Sequence, residues 1–122
     1  MFVGAMLTVT WGISHLFPTS SVVKGFGSIT NDNIQIITME WINEGFTLIF
    51  IGLLVVIVLA IGDMTSKTTK AVLVLAFVML IAMATLSLFT GFQINFLPFK
   101  LCPLIFAISG LLIIQGAFIK RK

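Results

Sequence analysis

Four long apolar runs, separated by shorter polar breaks, make the pattern of this chain. The runs cover 2–17, 34–62, 71–92 and 103–119, and the breaks fall at 18–33, 63–70 and 93–100. A hydrocarbon core of about 30 Å takes roughly 20 apolar residues per helical crossing, so 122 residues suffice for about four crossings and little else. The pattern predicts an all-α fold: one transmembrane domain over 1–122, built as a four-helix transmembrane bundle.

The first run is short, since at about 1.5 Å per residue its 16 residues cover only about 24 Å before Pro18 stops the backbone ladder. Gly4, Thr8, Trp11 and His15 recur at spacings of four, three and four. They share one helix face, which is expected to look inward. The run has no positive leader and no small-x-small cleavage signal, so it is read as a retained first helix.

The second run is long. As a helix, 34–62 covers about 43 Å, some 13 Å more than the hydrocarbon core. Its fully apolar part begins after Gly45, so the surplus belongs to the polar N-terminal end. Glu44 is then expected near the membrane boundary, Glu40 about 6 Å further out, and Trp41 as an interfacial anchor. Asn31, Asp32 or Asn33 suits the N-cap, because a short side-chain oxygen accepts from the free N–H groups of a helix start. In the third run Ala84, Ser87, Thr90 and Gly91 allow close helix contact, and in the fourth Gln115 is expected to bond across helices. Pro103 suits a first helical turn. The break at 18–33 is longer than an ordinary loop, which points to a short helix, an interfacial segment or a lid. Its Gly25-x-Gly27 lacks both the preceding strand and the third glycine of a dinucleotide fingerprint.

Composition agrees with this picture, with 59% hydrophobic and 9% charged residues, outside the range of soluble domains. The net charge of +3 does not gather on one polar face, so lipid headgroups rather than nucleic acid are the expected counter-ions. Lys67, Lys70, Lys120, Arg121 and Lys122 fall on one side of the bundle and only Lys24 and Lys100 on the other. Cytoplasmic segments carry the excess of cations, so both termini are expected to be cytoplasmic in a bacterial inner (plasma) membrane protein. Cys102 has no second cysteine to pair with, and the reading given to it is inert packing, with a reactive thiol beside Lys100 as the lesser one.

Polar groups in apolar helices are the candidates for chemistry. Glu40 and Glu44 are one helical turn apart and repel unless a cation, a proton or solvent separates them. His15 ends the preceding antiparallel helix at similar depth. His15, Glu40 and Glu44, with Trp11 and Trp41, form the candidate ligand or proton site, and the two carboxylates with His15 also make an acceptable divalent-metal set. The alternative is a solvated helix mouth near a favourable N-terminal dipole, with tryptophans anchoring at headgroup level. Burial decides between them. The chain has no Gly-x-Ser-x-Gly elbow, phosphate loop or His-Glu-x-x-His helix, and its single histidine cannot supply bis-histidine haem ligation. No catalytic residue or cofactor is assigned.

Gly12-Ile-Ser-His15-Leu-Phe-Pro18, the long first connection, Glu44-Gly45 with Gly52, and four helices with a basic tail together resemble the DoxX-like group of small four-helix membrane proteins. That resemblance implies either a quinone-linked redox complex or a role in assembly and trafficking. The expected function is a small membrane accessory or binding subunit, acting as a homo-oligomer or with other membrane subunits. The alternative is a ligand-binding or quinone-linked protein with a polar site near the non-cytoplasmic surface.

Overall fold

The computed structural model describes residues 1–118. Five helices follow one another: α1 (Phe2–Leu16), α2 (Thr19–Gly25), α3 (Asn31–Ile61), α4 (Lys67–Thr90) and α5 (Leu97–Phe118). No strand occurs among the described residues. α3, α4 and α5 are long and apolar enough to cross a membrane, whereas α1 is a shorter apolar helix. Lys120, Arg121 and Lys122, on which part of the charge asymmetry rests, lie outside the described residues.

Each long helix buries only a narrow stripe. In α4 it is Thr69, Leu73, Ala76, Leu80 and Ala84, a spacing of three and four that keeps one side of the helix inward. The outer surface is also apolar, with Phe46, Phe50, Leu53, Ile57 and Ile61 exposed along α3. Contiguous apolar exposure on this scale is foreign to a water-facing monomer and suited to lipid.

The starts of the three long helices differ from the sequence reading, those of α3 and α4 through a cap. Thr30 is extended and its hydroxyl accepts from the Asn33 N–H at 3.3 Å, so α3 begins three residues before Ile34 and runs for 31 residues, about 46 Å. Ser66 caps α4 in the same way through the Thr68 N–H, which makes Lys67 to Lys70 a first helical turn rather than loop. α5 begins at Leu97, with Pro98 in its first turn and Pro103 inside the helix. Pro98 therefore fills the role expected of Pro103, which instead removes one backbone bond from the ladder a turn later. The break at 18–33 contains the short helix α2, and Gly27 with φ of 75° turns the chain after it, a conformation glycine adopts without steric cost. Gln115 is exposed, with no interhelical bond among the described residues.

Around the bundle the order is α1, α3, α4, α5, with α2 resting on α3. α1 packs extensively on α3 and also on α5, α4 packs on α5, and the α3–α4 side is the loosest. Met1 lies against Gly116, which puts the start of α1 and the end of α5 at the same end. The expected inward face of α1 holds, since Gly4, Thr8 and His15 are buried. Glycine lets its backbone approach its neighbours: a Cβ on Gly12 would stand 2.7 Å from the Gly45 carbonyl oxygen, and one on Gly45 would stand 3.0 Å from that of Gly12. Gly52 meets the Ala5 carbonyl and Gly4 the Ser109 carbonyl at similar range, 2.7 Å in each case. This is the small-residue packing that joins membrane helices.

Two expectations follow. Gly12→Ala should cost about 1–3 kcal/mol, the usual range for overpacking, in reversible unfolding from detergent. Gly25→Ala, where an added Cβ meets nothing within 4 Å, should leave stability nearly unchanged, and equal effects would refute the close-approach account. At the α3–α4 turn, the Thr65 N–H and hydroxyl donate to the exposed Asp63 carboxylate at 2.8 Å, and these bonds hold it below its usual value of 3.8. The shift favours the folded state above the ordinary carboxylate value, and that contribution disappears as pH falls through the lowered one. Thr65→Val should therefore move the Asp63 titration upward in carbon-detected NMR.

Candidate functional site

The site lies at the bundle end away from Met1, where α1, α3 and α5 converge. His15 is fixed first. Its Nδ1 stands 2.9 Å from the Trp11 carbonyl oxygen, one turn back on α1. A carbonyl can only accept, so Nδ1 carries a proton, and in the neutral ring Nε2 is then the lone pair. The Trp41 ring stacks on the imidazole at 4.6 Å and Trp11 meets it edge-on at 5.6 Å. From α3, Trp41 Nε1–H donates to the His15 carbonyl oxygen at 2.6 Å. That bond occupies a carbonyl at the end of α1, where the helix leaves it without a backbone donor and the Thr19 hydroxyl also donates to it at 3.4 Å.

Two side chains approach Nε2. Glu44 Oε1 lies at 3.9 Å and Cys102 Sγ at 3.7 Å. The donor atoms of His15, Glu44 and Cys102 all fall within 4.8 Å of one another. His15 is 2% exposed and the Glu44 side chain 27%, so one member is sealed in protein and the other retains access to the outside. Trp11 Nε1 is buried and closes no hydrogen bond among the described residues.

Counting about 20 residues back from the end of α3 at Ile61 puts the hydrocarbon boundary close to Trp41. Glu44 then sits about 4.5 Å inside it and Glu40 just outside. The structure brings His15, Glu44, Trp11 and Trp41 together as the sequence spacing proposes. Glu40 is exposed and is not a member of the donor cluster. Cys102 takes the third place in the cluster, and at 2% exposure it is also packed in the apolar core, as the sequence reading expects. An α5 residue 87 positions from His15 gives no periodic signal toward it.

A hollow of about 460 Å³ opens between α3 and α4 at this end, with Val22 and Phe26 of the α2 region on its margin. Ile37, Met79, Met83, Leu86 and Phe99 form apolar walls, Glu44 and Cys102 line its inner part, and Glu40 lines it too. Among the described residues no lysine or arginine lines it. Asn43, Thr47, Ser87 and Thr90 add neutral polar groups to the lining, so the arrangement gives a mostly apolar groove with a carboxyl-bearing, hydrogen-bonding end.

If the Trp41 bond seats the site, Trp41→Phe, which keeps a ring over His15, should lower stability by about 1–2 kcal/mol in detergent unfolding. Trp11→Phe removes an indole N–H that has no partner and should cost less. Equal losses would show that the bond to His15 contributes nothing. No protein-family model, curated protein or solved structure matches the chain.

Proposed function

We propose that this chain is a small integral-membrane binding protein whose α3–α4 groove receives an amphiphile, with the polar end of the ligand at Glu44 and His15. One observation carries the reading: a groove of about 460 Å³ on the loosest side of the bundle ends on a carboxylate that is not fully buried and, among the described residues, is paired with no lysine or arginine. Lateral entry from lipid suits such an opening, because the apolar part of the ligand never has to cross water. The lining sets the headgroup chemistry. Glu40 and Glu44 are acceptors when ionised and no cationic side chain faces them, so an amine or another hydrogen-bond donor fits. A quinone, the occupant suggested by the DoxX-like resemblance, presents only carbonyl acceptors, so it would have to bond Asn43, Thr47, Ser87 or Thr90 rather than the two carboxylates.

The accompanying topology has four crossings, with α1 as the shortest and both termini cytoplasmic. It is supported by the shared end of Met1 and Gly116 and by the distribution of lysine and arginine along the sequence. A bacterial plasma membrane is the setting this topology suits, and a homo-oligomer or a complex with other membrane subunits is compatible with the exposed apolar outer faces.

Matched single-chain probes test the reading. In lipid nanodiscs, dodecylamine should change tryptophan emission saturably and bind at least tenfold more tightly than dodecanoate. Glu44→Gln should remove about tenfold of that preference, the size of one charge-assisted hydrogen bond. Equal binding of amine and acid, or an unchanged preference in Glu44→Gln, refutes the proposal. Native mass spectrometry showing stable partner subunits and an empty groove would favour an accessory subunit instead.

A further inference from the structure

We propose that His15 Nε2, Glu44 Oε1 and Cys102 Sγ form a three-donor site for a zinc-class divalent cation, with a fourth coordination position open toward the α3–α4 groove. Distance is the first support. Zinc bonds of about 2.0–2.3 Å in a tetrahedron separate neighbouring donors by about 3.4–3.6 Å. The His15–Cys102 pair stands at 3.7 Å and the His15–Glu44 pair at 3.9 Å, with all three donors inside 4.8 Å. The donor furthest from its place belongs to a side chain with freedom to move, because Glu44 is the partly exposed member. About an ångström of carboxylate movement completes the set.

Orientation is the second support. A metal-bound imidazole typically donates its other N–H to a carbonyl or carboxylate, which fixes the tautomer and aims the lone pair. His15 does this through Nδ1 and the Trp11 carbonyl oxygen, so its lone pair already faces Glu44 and Cys102. Charge is the third. A thiolate, a carboxylate, a neutral imidazole and a divalent cation sum to zero, which removes the cost of an isolated anion in an apolar setting. Binding takes one proton from the Cys102 thiol to solvent and leaves the metal oxidation state unchanged. The mixture of one sulfur, one nitrogen and one oxygen donor favours zinc over magnesium or calcium, which take oxygen ligands.

The site shares Glu44 and Cys102 with the groove, yet it stands on its own donors. Metal binding without amine binding, or the reverse, separates the two proposals. The test uses the full chain in nanodiscs after treatment with chelator, titrated with Co²⁺ as a coloured substitute and then with Zn²⁺. One equivalent of Co²⁺ should give visible d–d bands and a thiolate-to-cobalt charge-transfer band, both lost when Zn²⁺ displaces it. Cys102→Ser should abolish the charge-transfer band, and Glu44→Gln should weaken Co²⁺ at least tenfold. Asp63→Asn, at the opposite end of α3 and outside both the set and the groove, should leave the spectrum and the affinity unchanged. Circular dichroism confirms the fold of each variant; should Cys102→Ser fail to fold, the Glu44→Gln and Asp63→Asn pair decides. Absence of a one-equivalent spectrum, a charge-transfer band retained in Cys102→Ser, or equal loss in Glu44→Gln and Asp63→Asn overturns the proposal.

Discussion

The backbone approach of α1 to α3 at Gly12 and Gly45 is the constraint on which the rest of this structure depends. Neither position leaves room for a Cβ without movement of the facing backbone. Closeness there has a chemical result, because His15 lies three residues beyond Gly12 and Glu44 immediately before Gly45. A pair of helices held apart by ordinary side chains would place His15 and Glu44 several ångströms further from each other. Trp41 then locks the depth, since its indole N–H reaches the His15 carbonyl only when the two helices are in this register. Packing and site are therefore one feature. The glycines permit the approach, and the tryptophan selects where along the helices it occurs.

Lipid gives that arrangement a different energetic meaning from the one it would have in water. Between membrane helices there is little hydrophobic gain from association, because the tails are as apolar as the side chains they replace. Close contact, backbone geometry and a few buried polar bonds must hold the bundle together. The structure distributes them unevenly: α1 has close glycine contacts to both α3 and α5, while α3 and α4 meet loosely. The groove lies on that loose side. An opening between two tightly packed helices would require separating them, whereas here the apolar walls of α3 and α4 already stand apart.

Most of the helical framework was legible in the sequence because apolar length is a strong signal and a polar break is another. The ends were less so. Thr30 and Ser66 extend their helices into polar residues that hydropathy reads as loop, and only the cap hydrogen bonds reveal it. Pro98 and Pro103 compete for the same first-turn role, and both contain the same ring, so residue type alone does not choose. The site was half legible. His15, Trp11, Trp41 and Glu44 follow from helix periodicity and a shared depth. Glu40 does not join them, although it is one turn from Glu44, because four residues advance a helix by about 400° and also move it about 6 Å along the axis. That displacement carries Glu40 past the end of the packed region. Cys102 was illegible as a site member, since the facing of α5 is set by its contact with α1 at Gly4 and Ser109, a relation between segments more than a hundred residues apart.

The protonation arrangement of His15 links these observations. The i−4 carbonyl bond at Nδ1 satisfies the only N–H of a neutral ring, so burial of the imidazole leaves no donor unpaired. What remains is a lone pair that accepts a weak hydrogen bond from the Cys102 thiol at 3.7 Å and faces the Glu44 carboxyl at 3.9 Å. An ionised Glu44 beside that lone pair is repulsive unless something positive lies between them. A proton on Nε2 meets that need by forming an ion pair with Glu44, but it leaves Cys102 with only a weak role. A ligand ammonium at the groove end satisfies Glu44 and leaves Cys102 in the same position. A divalent cation is the single occupant that uses the nitrogen, the oxygen and the sulfur at once. The presence of the thiol within reach of the same nitrogen is thus the feature that favours a metal over a proton.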